Sequence, residues 1–106
     1  MKGKEIIRGV PGAPGVIVVT VRLVDKDVVK MAQVKEGEVL VSERLEPEHD
    51  DYIKKASALI TDTGGKLSHA AIAGKTYGIP AIVGTVEGTQ ALKDGQIVVV
   101  DGGEGV

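Results

Sequence analysis

The stretch Thr61-Asp62-Thr63-Gly64-Gly65-Lys66-Leu67-Ser68-His69-Ala70-Ala71-Ile72 holds the residue types whose order could do chemistry. Adjacent glycines open a loop, a hydroxyl and an imidazole follow, and small residues stand behind them. The run Ala58 to Thr61 reads as a short apolar strand, and His69 to Tyr77 reads as a helix stopped by Gly78. His69 then lies in the first helical turn, where unpaired backbone N–H groups and the helix dipole favour an anion. Gly64 and Gly65 permit positive φ and leave room for a bulky group beside the backbone. Lys66 adds a positive charge, Ser68 a hydroxyl, and Ala70 and Ala71 let the helix pack close to a sheet. An imidazole is a nucleophile only when neutral, and a helix start disfavours the imidazolium. The same N–H groups would steady a phosphoryl group on the ring. Phosphoryl transfer asks mostly for positioning and charge stabilisation. The pattern therefore suits a phosphoryl carrier with His69 as nucleophile and Gly64, Gly65, Lys66 and Ser68 in support.

Each residue also has a quieter role open to it. Ser68 stands where an N-cap is expected, the glycines could form only a tight turn, and Lys66 could be solvated surface. A hydrolase built on Ser68 and His69 is disfavoured. Neighbours at a helix start do not aim at one another, and Asp62 is the only near acid to orient the ring. His49 sits among Glu46, Glu48, Asp50 and Asp51, but acidic residues in a first helical turn are explained by the dipole, so no metal site is expected. Walker loops, kinase catalytic loops and metal-ligand spacings are missing from the sequence.

Composition narrows the classes further. The 106 residues suit one domain, 1–106, with residues 1–8 as a lead-in. At 42% hydrophobic and 26% charged, the chain has the balance of a globular domain rather than a disordered tail. A formal net charge of −2 offers no basic footprint for nucleic acid or an anionic membrane. Cysteine is absent, which removes disulfides and thiolate metal sites. With neither a signal-like start nor a membrane-length apolar run, a cytoplasmic setting is expected. Tyr52 and Tyr77 are the only aromatics, so the core must be aliphatic and base stacking is implausible.

The remaining elements follow from periodicity and punctuation. Lys4 to Val10 is a lead-in strand, Pro11 to Gly15 a loop, and Val16 to Val24 a long β-branched strand. Asp25 to Val34 reads as a loop with a helical turn, Lys35 to Gly37 as a turn, and Glu38 to Ser42 as a strand. Pro47 opens a helical segment with Glu48, Asp50 and Asp51 in its first turn and Lys54 and Lys55 in its last. Ala81 to Gly84 is a strand, Thr89 to Leu92 a helical turn, Lys93 to Gly95 a turn and Gln96 to Asp101 a final strand, followed by a glycine-rich flexible or turning tail. The order predicts an α/β domain with a strand-rich layer beside a helix-covered sheet.

Gly64-Gly65-Lys66-Leu67-Ser68-His69-Ala70 resembles the phosphohistidine domain of the phosphoenolpyruvate-utilising enzymes, which include phosphoenolpyruvate synthase, pyruvate phosphate dikinase and enzyme I of the sugar phosphotransferase system. Tyr77 to Gly84, Gly9 to Val16 and Lys35 to Val41 are similar to the family's other segments, so the resemblance spans about residues 9–106. It implies a swivelling β/β/α domain whose His69 is transiently phosphorylated. The group would move between an ATP site on an ATP-grasp domain and a pyruvate or phosphoenolpyruvate site on another domain, in the same or separate chains. It implies no cofactor on this domain, with ATP and magnesium on its partners, and part of a transferase rather than a complete enzyme. Leu67 stands where the family usually has Thr, which removes a hydroxyl and a regulatory phosphorylation site. Gly74-Lys75 replaces a frequent Ala-Arg, and Gly in a helix costs about 1 kcal/mol relative to Ala. A non-catalytic binding or regulatory module on the same scaffold is the alternative.

Overall fold

In the computed structural model of the chain, residues 9–24, 31–103 and 105 are described. The segment expected to lead in, up to residue 8, and most of the loop expected at 25–34 lie outside them. The strands are β1 (Val10–Ala13), β2 (Val16–Leu23), β3 (Glu38–Ser42), β4 (Ala58–Thr61), β5 (Ala81–Val83) and β6 (Ile97–Asp101). A 3-10 turn, Pro47–His49, runs into helix α1 (Asp50–Ile53), followed by α2 (His69–Tyr77) and α3 (Gly88–Ala91). The six strands form one sheet in the order β1-β5-β4-β3-β2-β6. The central pairs β2–β3, β3–β4 and β4–β5 are parallel, and β1 and β6 join the edges antiparallel.

Alternation along the strands divides the core in two. Leu40, Leu59, Ala81 and Val83 face the helical side, with Ile53 of α1 and Ala70, Ala71 and Ala73 of α2. Val39, Val41, Ala58, Ile60 and Ile82 point the other way and meet Val19, Val21 and Val100. This is the period-two pattern of a sheet buried on both faces. β5 and β6 lie far apart in strand order, yet Ile82 and Val100 share one cluster. The sheet therefore curls on itself. The expected strand-rich layer and helix-covered sheet are two parts of this single curled sheet.

One local expectation is corrected. Pro11 to Ala13, expected as part of a loop, continue the strand from Val10 and pair with β5 through Pro11↔Ile82 and Ala13↔Ala81, with a bulge between. Proline's missing donor is tolerated there because β1 is an edge strand. Of the flexible or turning tail expected, the turning form is found: Gly102 lies in a turn, is buried and donates its N–H to the Gly15 carbonyl at 2.8 Å.

α2 lies close to the sheet because its inner face is small. A Cβ on Gly74 would stand 2.8 Å from the Ile79 carbonyl oxygen and 2.9 Å from the Ala13 Cβ. The helix ends at Gly78 in the left-handed conformation, φ 70°, as its sequence predicts. These contacts fix the helix axis, and with it the position of His69 at its start.

Candidate functional site

The loop from Asp62 to Ser68 leaves the C-terminal end of the parallel strand β4, the end where α/β sheets gather their ligands. Its turn depends on Gly64, which has φ 105°. A Cβ at Gly64 would lie 2.8 Å from the Ser68 Cβ, so a side chain is excluded by space as well as by backbone. Gly65 has no such constraint and leaves open space. A neighbouring loop braces this one: Gly84 and Val86 donate N–H groups to the Thr63 and Asp62 carbonyls at 3.2 and 2.8 Å.

Ser68 occupies the N-cap position of α2 in extended backbone, but its hydroxyl does not cap the helix. It donates instead to the Gly65 carbonyl at 2.7 Å and closes the loop. The first backbone bond of the helix runs from the Ile72 N–H to the Ser68 carbonyl, at 3.0 Å. The amides of His69, Ala70 and Ala71 precede it, so the turn keeps its anion-favouring dipoles. Lys66 and Leu67 project from the loop, Leu67 at 87% exposure.

His69 is largely covered, with 21% of its side chain exposed. Its Nε2 lies 2.6 Å from Asp50 Oδ1, and the Tyr77 hydroxyl donates to Asp50 Oδ2 at 2.9 Å. The Lys54 ammonium stands 5.5 Å from the centre of the Tyr77 ring. Burial works to raise the Asp50 carboxyl. The hydrogen bonds from His69 and Tyr77, with the charges of His69 and Lys54, outweigh it and hold the group below the usual carboxylate range. The bond to Asp50, helped by burial, pushes the Tyr77 phenol up.

A shallow pocket of about 240 Å³ opens beside the ring, lined by Arg44, Glu46, Thr63, Gly64 and Ser68 among others. Arg44 is more than half exposed and only loosely tied to Glu46, at 3.8 Å. The fold thus brings His69, Gly64 and Ser68 together as the sequence predicts, with Gly65 and Lys66 on the adjoining open loop. It adds Asp50, Tyr77 and Arg44, which the sequence analysis missed. Only Arg44 carried a usable signal, because it follows β3 at the ligand-gathering end of the sheet.

The acid beside His69 is Asp50, not Asp62. Asp62 accepts from the Thr89 N–H at 2.8 Å and from the Thr89 hydroxyl, holding the start of α3. His49 is buried, and its Nδ1 accepts the Glu46 N–H at 3.0 Å, a structural role in the turn before α1. Among the described residues, no three His, Asp or Glu side chains gather in a way that could hold a metal ion. Among them, too, no helix is long and apolar enough to cross a membrane.

The comparisons with known proteins agree with this architecture. The family model described as "PEP-utilising enzyme, mobile domain" matches residues 34–105, which contain the whole His69 loop. Phosphoenolpyruvate synthase from Aeropyrum pernix is 45% identical over 99% of this chain, and the match takes in 13% of that protein. A Bacillus subtilis protein named "Uncharacterized phosphotransferase YvkC" is 41% identical over 93% of this chain and 12% of its own length. The chain thus spans about an eighth of the length of these relatives. A solution structure of Enzyme I superposes with a TM-score of 0.63 at 35% identity, over 72% of this chain and 32% of that one. A curled sheet carrying one histidine at a helix start, matched by model, sequence and structure alike, makes this chain a member of the mobile-domain family of PEP-utilising enzymes.

Proposed function

We propose that this domain carries a phosphoryl group on His69 between a nucleotide site and a pyruvate or phosphoenolpyruvate site on partner domains. The observation that carries the proposal is the placement of His69. It opens α2 behind the Gly64–Ser68 loop, beside a pocket edged by Arg44, inside the segment shared with the family. The ring is the nucleophile. The amides of the first turn of α2 and the open space at Gly65 receive the phosphoryl oxygens, and Gly64 makes the turn that brings the loop there. Arg44 is loosely held and turns toward them, and Lys66 adds charge from the loop. Ser68 keeps the loop closed. ATP and its magnesium belong to the partner that loads the histidine.

The test is phosphorylation of the purified chain by its partner domains, offered ATP or phosphoenolpyruvate in turn and read by intact mass. One acid-labile, base-stable phosphoryl group is expected on the wild type and none on His69→Ala. The donor that works identifies the half-reaction served. A folded chain that takes no phosphoryl group from either donor would sink the carrier role and leave a binding module, with exposed Leu67 as its first contact.

A further inference from the structure

We propose that Val86 and Leu67, one at each end of the His69 loop, are the apolar anchors on which the domain that loads His69 docks. The proposal rests on the carrier role and adds the surface that role needs. Among the described residues, Val86 is the only one besides glycines with a positive φ, 71°. A β-branched side chain is strained in that left-handed region, which Gly, Asn and Asp enter more readily. The neighbouring loop locks the conformation in. The Val86 N–H donates to the Asp62 carbonyl at 2.8 Å, and the Asp62 carboxylate holds Thr89 in α3. Yet the Val86 side chain is 80% exposed, so the fold gains little burial in return for the strain. Leu67 is more exposed still. Backbone strain of this kind gathers at sites of contact and chemistry, where something outside the local structure offsets it.

The chemistry at His69 says what covers these side chains. A phosphoryl group passes only when the donor comes within about 3–3.5 Å of the ring. The domain that holds the donor must therefore close over the mouth of the loop. Leu67 stands two residues before His69. Val86 borders the site by way of Thr63, which lines both the pocket beside the ring and a shallow groove of about 420 Å³ edged by Val86, Glu43 and Gln90. Ile72, half exposed one turn on from His69, extends the apolar rim along α2. The occupant is thus the loading domain itself, with an apolar margin around its bound phosphoryl donor. Burying the anchors also expels the water that would otherwise take the phosphoryl group.

In the chain by itself, Val86→Asn relieves the backbone and keeps a side chain there, so it should raise the thermal midpoint. Leu67→Gln should leave the midpoint unchanged. With the partner domains that load His69 limiting, each variant should be phosphorylated about 10-fold more slowly than the wild type, the scale of one apolar side chain left unburied. With the partner saturating, both should reach the wild-type rate. The methyl NMR signals of Leu67 and Val86 should shift when the partner domains are added, in the wild type and in His69→Ala alike. A lowered midpoint in Val86→Asn, a rate deficit that persists at saturation, wild-type rates at limiting partner, or methyl signals that do not move would overturn the proposal. If the methyl signals shift but even the wild type takes no phosphoryl group, the carrier role fails and the docking surface stands.

Discussion

Asp50 has a lowered folded-state pKa, so the sign of its contribution to stability is fixed. The stabilisation is present above the ordinary carboxylate range and is lost as pH falls through the lowered folded value. Tyr77 is raised, so its share is present below the ordinary phenol range and is lost as pH rises through the raised folded value. The difference in thermal midpoint between wild type and Asp50→Asn should therefore be largest near neutrality and shrink on acidification. Thermal unfolding across a pH series checks this, and a difference that stayed constant into acid would refute it. His69 and Gly64 were legible because their spacing is local and their chemistry follows from one loop. Asp50 was not. It lies 19 residues from His69, its position was already accounted for by the helix dipole, and only tertiary folding brings the two together. Tyr77 was read as the end of a helix, because nothing in a linear pattern says that two ends of one helix will share a partner.

α2 shows propensity and packing in opposition. In an isolated helix, replacing Gly74 by Ala would gain about 1 kcal/mol. Here the added methyl would stand 2.8 Å from the Ile79 carbonyl oxygen, 2.9 Å from Ala13 and 3.0 Å from Ala81. Overpacking of a tight contact costs about 1–3 kcal/mol. Gly74→Ala should therefore lower stability by about 1 kcal/mol despite its better propensity, as read from urea unfolding midpoints, and a more stable variant would show that β1 yields easily. The glycine that looked like a departure weakening the helix is what lets α2 approach β1 and β5. The sequence analysis placed β3, β4 and α2 at their observed bounds, since each is framed by strong stop and start signals. It missed β1 beyond Val10 because proline and glycine usually mark a loop, whereas an edge strand with a bulge accommodates both. α3 begins one residue before its expected start, with the Gly88 N–H bonded to the Thr85 hydroxyl, a contact set by the neighbouring loop.

At the scale of the molecule, the α/β class was legible in the order of strands and helices, but the curl was not. It depends on which strands become edges, and only the pairing of β6 with β2, and the meeting of Ile82 with Val100 across the core, settles that. The same pairing leaves Val16, Val18, Ile97 and Val99 on the outer face of β2 and β6, each more than 60% exposed. At the far edge, the Gly9 N–H donates to the Gly105 carbonyl at 2.8 Å, and Gly105 in turn donates to the Asp101 carbonyl. Both ends of the described fold therefore leave from one point. Such a geometry permits circular permutation. Residues flanking Gly9 and Gly105 could be joined by a short linker and the chain reopened in the exposed turn at Asp94–Gly95. The permuted chain should give the same pattern of His69 and His49 ring signals as the original, and loss of the His69 pattern would show that the order of synthesis matters to the site. A unit that connects to its surroundings through a single seam can be inserted into, or turned within, a larger protein without disturbing its own hydrogen-bond ladder.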